Sequence, residues 1–311
     1  MAAGHSICKS MSVENPKLGK PIIGRFAPSP TGELHFGSLV AAVGSLLQAR
    51  SRGGQWLLRI EDIDPPREVA GAAQSQIDTL KRFGMMPDAP VSFQRTSARL
   101  HQAALEKLLA SGLAFHCGCS RKDLPADGIY PGTCRDGLAP ERMPRSIRLR
   151  VADTQIGFHD LVQGQCHQYP ARECGDFVVR RADGLIAYQL AVVVDDAAGG
   201  VTEVVRGADL IDSTARQILV YRALGLSMPE YAHLPLIVDE HGRKLSKSEG
   251  DDPVHSLAPA TALRLALRAL GHEPPPACRS LDSLWQQALE NWQLERVPKG
   301  PVCIGVHTDR L

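Results

Sequence analysis

The chain has no surplus of charge of either sign. It carries 35 lysines and arginines against 34 acids in 311 residues, a formal net charge of +1. Such a balance exerts no strong global pull on a polyanion, so contact with nucleic acid must rest on local basic patches. Long apolar runs are missing too, and no uninterrupted stretch is long enough to cross a bilayer. The first twenty residues lack the apolar core of a secretory signal, so a cytoplasmic protein is expected. There is no internal repeat, heptad array or low-complexity tract. What remains is the composition of a globular protein of one large domain or two. Eight cysteines are present; without a secretory context, clustered cysteines point to metal rather than to disulfides.

The rest is organised around Arg25-Phe26-Ala27-Pro28-Ser29-Pro30-Thr31-Gly32-Glu33-Leu34-His35-Phe36-Gly37-Ser38. A short apolar run, 21–24, precedes it and reads as a buried strand; residues 39–47 follow and read as a helix. Pro28 and Pro30 fix φ and remove two backbone donors. Gly32 and Gly37 permit tight turns and close approach of a ligand. Ser38 is placed as the N-cap of the helix, whose free N–H groups and positive end attract phosphate. His35 lies just before it. Taken alone, it reads more readily as a half-buried loop histidine.

Residues 55–60 read as a second strand. Asp64 is placed to cap a helix over 67–83, with Pro65 and Pro66 in its first turn and Val69, Ala73, Ile77 and Leu80 on one face. A further helix spans 97–110. Strand–helix alternation of this kind predicts a parallel sheet with right-handed crossovers. From 113 to 187 the rhythm breaks. Residues 146–151 alternate like a surface strand, and 177–181 with 185–188 read as a hairpin about Ala182-Asp183-Gly184. Thereafter a helix is expected over 191–198, a strand over 201–205, a helix over 209–224, a last strand over 234–238, and two helices near 258–270 and 281–293. The predicted architecture is α/β: a Rossmann-like parallel-sheet domain in two halves, 21–112 and 188–252, split by an insertion, 113–187. A flexible extension, 1–20, precedes it, with Met11 as an alternative start, and a short helical segment, 253–311, follows.

Cys117, Cys119 and Cys134 cluster within the insertion. A Cys-x-Cys pair with a third thiolate can grip a tetrahedral ion, and zinc normally takes a fourth ligand. His116 and Tyr130 are both in place for that role. No water-activating arrangement is evident, so a zinc here reads as structural. Cys8, Cys166, Cys174, Cys278 and Cys303 are scattered. Arg142, Arg145, Arg148, Arg150, Arg180 and Arg181, with Phe158 and Tyr169 nearby, are candidates for contact with a phosphate backbone.

His35-Phe36-Gly37-Ser38 resembles the "HIGH" signature of the class I aminoacyl-tRNA synthetases, and Lys244-Leu245-Ser246-Lys247-Ser248 resembles their "KMSKS" signature, in the same order. The approach from Arg25 to Gly32 is similar to the glutamyl branch. Amino-acid activation sets a carboxylate against the α-phosphate of ATP and expels pyrophosphate. Its barrier is mostly repulsion between anions, lowered by positioned cations and N–H donors. The resemblance implies ATP with Mg²⁺ as substrate. It puts His35, Gly37 and Ser38 at the α-phosphate and Lys244, Ser246 and above all Lys247 at the pyrophosphate, on a loop hinged by Gly242 and Gly250. It implies glutamate bound by Arg25, the first candidate for the side-chain carboxylate, and by Ser29, Glu61, Tyr188 and Arg206. The ordinary alternatives are a surface ion pair of Arg206 with Asp209 and a helix-start charge for Glu61. Only 63 residues follow Ser248, too few for an anticodon-binding module. The family similar to the chain in this respect is the glutamyl-Q tRNA(Asp) synthetases, whose three cysteines and a tyrosine favour Tyr130 as fourth zinc ligand. That resemblance implies tRNA-independent activation of L-glutamate and its transfer to queuosine at the wobble position of tRNA(Asp). The insertion would grip the anticodon stem-loop, and a monomer is expected. A shortened glutamyl-tRNA synthetase charging the 3′ end and a non-catalytic tRNA-binding module stay open as alternatives.

Overall fold

The computed structural model describes residues 21–243, 254–278 and 280–303. The chain begins with β1 (Ile23–Phe26), α1 (Phe36–Arg50), β2 (Gln55–Ile60), α2 (Ala72–Arg82), β3 (Ser92–Phe93) and α3 (Ala98–Ala110). There follow β4 (Ala114–Cys117), β5 (Ser146–Leu149), β6 (Ile156–Asp160), β7 (Gly164–Gln168), the single turn α4 (Pro170–Glu173) and β8 (Val178–Arg180). Then come α5 (Tyr188–Ala198), β9 (Glu203–Gly207), α6 (Ile211–Leu224), β10 (Glu230–Leu234), β11 (Ile237–Val238), α7 (Pro259–Ala269), α8 (Leu281–Asn291) and β12 (Val302–Cys303). No helix among the described residues is long and apolar enough to cross a membrane.

Strands β1, β2 and β3 are parallel, and so are β9, β10 and β6, with β7 antiparallel on the outside. The two sets meet where Thr202 N–H donates to Ile23 O at 3.0 Å and Ile23 N–H donates to Thr202 Oγ1 at 2.9 Å. The fold is α/β, built on a parallel sheet in two sets of strands. The stretch 113–187 divides in two: β4, β5 and β8 make a separate antiparallel sheet, whereas the β6–β7 hairpin joins β10 of the second half.

Helix α1 is apolar nearly all round because it is covered on both sides, by β1 and β9 beneath and by α7 and α8 above. Gly44 lets it approach the sheet: a Cβ there would lie 2.6 Å from Leu234 Cδ1. On the opposite face α3, α5 and α6 share a core of Leu105, Leu108, Val192, Val193 and Tyr221.

Several expectations need correction. The cap of α1 is His35, whose Nδ1 accepts from Ser38 N–H at 3.3 Å; Ser38 lies inside the first turn. Helix α2 starts at Ala72, because Gly71 adopts φ 81° before it. Val69 is exposed, and Asp64 makes no cap; it pairs with Arg67 at 2.5 Å and Arg181 at 3.0 Å instead. All four residues of β5 are buried, because it is the central strand of its sheet. The turn at 182–184 is present, but its return leg forms only the bridge Arg180–Ile186 before Tyr188 starts α5. The last long strand is Glu230–Leu234. Pro235, with no N–H to donate, ends it, and β11 pairs with β12.

Candidate active site

The loop between β1 and α1 makes few hydrogen bonds of its own, since two prolines remove donors. Neighbouring elements satisfy its carbonyls. Gln76 Nε2 donates to Ser29 O at 3.1 Å and Gly32 O at 2.7 Å; Glu61 N–H and Val69 N–H donate to Pro28 O and Pro30 O, each at 2.9 Å. At its end the His35 ring folds over the first turn of α1. Gly37 permits this, because a Cβ there would lie 3.1 Å from the imidazole. Since Nδ1 accepts from Ser38, the neutral ring carries its proton on Nε2.

This loop forms one wall of a cleft of about 820 Å³. Arg25, Ser29, His35, Gly37, Ser38, Glu61, Tyr188 and Arg206, all singled out from the sequence, line it together with Arg67, Asp209 and Leu210. Lys244, Ser246, Lys247 and Gly250 lie outside the described residues.

Two buried charge arrangements shape the cleft. In the first, Arg25 Nε donates to Asp196 Oδ1 at 3.1 Å and its Nη2 to Oδ2 at 3.2 Å. Arg59 Nη2 bridges Asp196 at 2.7 Å and Glu61 at 3.1 Å. Two guanidiniums and two carboxylates thus alternate with no net charge. Burial alone would raise Asp196, but the flanking guanidiniums outweigh it and hold its carboxyl below the ordinary range. For Glu61 burial wins over Arg59 and Arg25 and lifts the carboxyl.

In the second, Arg206, only 5 % exposed, cannot be the surface partner that an ion pair with Asp209 would require. Its Nε donates to His233 Nε2 at 3.0 Å, Nη1 to Gln217 Oε1 at 2.8 Å, and Nη2 to Thr214 Oγ1 at 3.0 Å and Leu210 O at 3.3 Å. All four acceptors are neutral. A buried guanidinium at the edge of a cleft, without a carboxylate bonded to it, is a site for an anionic group.

Sequence reasoning missed Arg59, Asp160, Asp196, Gln217 and His233. One signal was there to read: Asp195-Asp196 closes the apolar run of α5, and two acids on a buried helix need buried partners. His101 and Gln94 hold Asp195 at 2.9 and 2.8 Å.

A second cluster lies in the β4–β5–β8 unit. The Sγ atoms of Cys117, Cys119 and Cys134 all fall within 4.8 Å of one another, Cys119 and Cys134 at 3.6 Å. Two thiolates sharing a tetrahedral zinc sit about 3.8 Å apart. Tyr130 OH is 3.5 Å from Cys117 Sγ and accepts from Cys134 N–H at 2.8 Å. His116 is exposed, one residue along the strand from buried Cys117 and so on its other face. Arg148 Nε donates to Cys117 Sγ at 3.3 Å while its guanidinium stacks 3.9 Å above the Tyr130 ring; Arg142 Nη1 donates to Cys119 Sγ at 3.2 Å. Burial opposes ionisation of Cys117, but bonds from Tyr130, Cys119 N–H and Arg148 bring its thiol down to about 7. Burial and the adjoining Cys134 push Cys119 up to about 11. A dication would relieve that repulsion, so the donor set fits a metal.

Four of the six arginines considered for phosphate contact are engaged within the chain. Arg148 and Arg142 serve the cysteine cluster. Arg150 donates to Gly112 O at 2.9 Å and Arg135 O at 2.6 Å, and Arg181 pairs with Asp64 at 3.0 Å and Asp183 at 2.6 Å.

The chain matches the family model "tRNA synthetases class I (E and Q), catalytic domain" over residues 21–127 and 134–267. Fold and cleft thus define a class I synthetase catalytic domain. Two solved glutamate–tRNA ligases superpose on it. The one from Elizabethkingia meningosepticum, in complex with its amino acid, has a TM-score of 0.77 at 27 % identity, over 91 % of this chain and 67 % of that one. The one from Elizabethkingia anophelis has a TM-score of 0.79 at 27 % identity, over 93 % and 69 %. Among curated proteins the chain is 54 % identical to the glutamyl-Q tRNA(Asp) synthetase of Chromobacterium violaceum, over 90 % of this chain and 96 % of that one. It is 50 % identical to that of Pseudomonas aeruginosa strain PAO1, over 93 % and 98 %. The chain belongs to this family, the glutamyl-Q tRNA(Asp) synthetases.

Proposed function

We propose that the chain activates L-glutamate with ATP in the absence of tRNA and transfers the glutamyl group to queuosine at the wobble position of tRNA(Asp). The observation that carries this reading is the buried Arg206, bonded to neutral acceptors alone, in the same cleft as a histidine-capped helix N-terminus.

Arg206 takes the side-chain carboxylate. Arg25, first choice from the sequence, has its charge matched by Asp196, so it serves better as a hydrogen-bond donor than as the selecting cation. Glu61 and Tyr188 receive the α-ammonium, whose arrival favours the ionised form of Glu61, and Ser29 adds a hydroxyl at the loop wall. The α-carboxylate oxygen attacks the α-phosphorus of ATP, the bond to the bridging oxygen breaks, and pyrophosphate leaves. His35 Nε2–H and the N–H groups opening α1 face the charge that builds on the α-phosphate. Lys244, Ser246 and Lys247 are assigned to the pyrophosphate on the sequence signature, and Mg²⁺ accompanies the ATP. A hydroxyl of the queuosine cyclopentenediol then attacks the adenylate carbonyl carbon, AMP leaves, and the hydroxyl proton passes to solvent. Residues 113–187 hold the anticodon stem-loop. Zinc, held by Cys117, Cys119, Cys134 and Tyr130, would fix the shape of that unit.

The test has two arms. Glutamate-dependent ATP–pyrophosphate exchange without tRNA is expected. Labelled glutamate is expected on queuosine-containing tRNA(Asp) trimmed of its 3′ adenosine, and none on queuosine-free tRNA(Asp). Labelling that needs the 3′ adenosine and ignores queuosine would establish the shortened glutamyl-tRNA synthetase; absent exchange would leave a binding module.

A further inference from the structure

Asp160 and His233 do not line the cleft, yet both are fully buried and joined to Arg206. Asp160 closes β6. Its Oδ1 accepts from Val162 N–H at 3.0 Å, Gln163 N–H at 2.8 Å and His233 N–H at 3.1 Å. Its Oδ2 lies 2.6 Å from His233 Nδ1. A carboxylate can only accept, so Nδ1 must carry a proton. At the other side of the ring, Arg206 Nε lies 3.0 Å from His233 Nε2. A guanidinium can only donate, so Nε2 must be bare. The two ends demand the same neutral tautomer. Burial keeps the ring neutral, and its pKa lies below the ordinary value although Asp160 pulls the other way.

The Gln217 acceptor is fixed in the same manner. Gln217 turns its Oε1 to Arg206 because its Nε2 donates to Gln189 Oε1 at 3.0 Å, and Gln189 Nε2 donates to Ser213 Oγ at 3.0 Å. The guanidinium also lies over the Tyr231 ring, 5.4 Å from its centre, and Tyr231 stacks on His233. Position and tilt of this guanidinium, bonded to no carboxylate of the described residues, are therefore set from behind.

We infer that Asp160 and His233 are positioning residues for Arg206: by locking His233 as an acceptor they aim the guanidinium at the substrate side chain and set the preference for glutamate over glutamine. This rests on the proposed activation of glutamate. The discriminating variant is Asp160→Asn. The asparagine Oδ1 keeps the three backbone bonds, but its amide can only donate to Nδ1. The His233 proton moves to Nε2, where it confronts the Arg206 Nε–H, and Arg206 turns away.

In ATP–pyrophosphate exchange D160N is expected to raise the glutamate KM at least about tenfold and to lower the glutamate-to-glutamine ratio of kcat/KM by about as much. The ATP KM is expected to stay within about threefold of wild type. His233→Gln, which keeps an acceptor near the Nε2 position, is expected to retain more of that preference than D160N. The wild-type protein gives a measurement that needs no variant to fold: long-range ¹H–¹⁵N correlation on histidine-labelled chain should show His233 protonated at Nδ1 and bare at Nε2. An Nε2–H tautomer, or D160N with unchanged amino-acid preference, would overturn the inference. Wild type without exchange would instead overturn the activation itself.

Discussion

Replacing Arg206 by alanine tests whether a single buried charge selects the amino acid. Of five N–H groups on this guanidinium, one points to His233, one to Gln217 and two to Thr214 and Leu210. One N–H and the whole uncompensated charge are left for a substrate. A charge-assisted hydrogen bond contributes about 1.5–3 kcal/mol, and the Coulomb attraction of a close pair at an effective dielectric near 20 has an upper bound of about 4 kcal/mol. These overlap, so a loss of about 2–4 kcal/mol is expected, or about 30- to 1000-fold in kcat/KM for glutamate. Arg206→Lys keeps the charge but loses the fork that His233 and Gln217 hold, and should fall between the two. The assay is ATP–pyrophosphate exchange at subsaturating glutamate, with thermal unfolding to show that the fold survives. The ATP KM should hold. R206A activity within threefold of wild type, with glutamate still preferred to glutamine, would refute the assignment of this charge to the side-chain carboxylate.

Acid should weaken the fold in two stages. The folded pKa of His233 is lowered below its ordinary 6.5, chiefly by burial, so the unfolded chain takes up a proton first and stability falls as pH drops below that value. Asp160 is held below its ordinary 3.8 against burial by its bonds from His233 and backbone N–H groups, and adds a further loss at still lower pH. H233Q should flatten the first stage in melting temperature against pH; identical slopes would contradict it. For the cysteine cluster, elemental analysis should find one zinc per chain, lost in Cys134→Ser and unchanged in His116→Ala, with Tyr130→Phe releasing it at lower chelator concentration; a native preparation without zinc would end that assignment. Gly44→Val should cost about 1–3 kcal/mol in a denaturant titration, because its Cβ would meet Leu234 at 2.6 Å. Lys247→Ala should cut exchange sharply at unchanged melting temperature, and unaltered exchange would remove Lys247 from the mechanism.

Local order spoke for itself in the sequence. The strand–loop–helix at the start, the helices near 98–110, 211–224, 259–269 and 281–291, and the cysteine cluster were legible, because periodicity, prolines and short-range spacing act through neighbours along the chain. So was the membership of Arg25, His35, Glu61, Tyr188 and Arg206 in one set, through resemblance to known signatures. What those side chains do was decided only in three dimensions. Arg25 and Arg206 look alike as letters; one meets Asp196 on α5 and has its charge matched, the other meets a histidine, a glutamine, a threonine and a backbone carbonyl and has no carboxylate bonded to it. Arg148 reads as a surface cation, yet its place on the central strand β5 buries it against the Cys117 sulfur. Residue chemistry alone left His116 and Tyr130 both open and the resemblance favoured Tyr130; the alternation of β4 puts His116 in solvent, while Tyr130 stands beside the thiols. For the arginines the deciding partner stands well along the chain, 171 residues for Arg25, 31 for Arg148 and 27 for Arg206, and a long-range electrostatic pairing leaves no trace in local pattern.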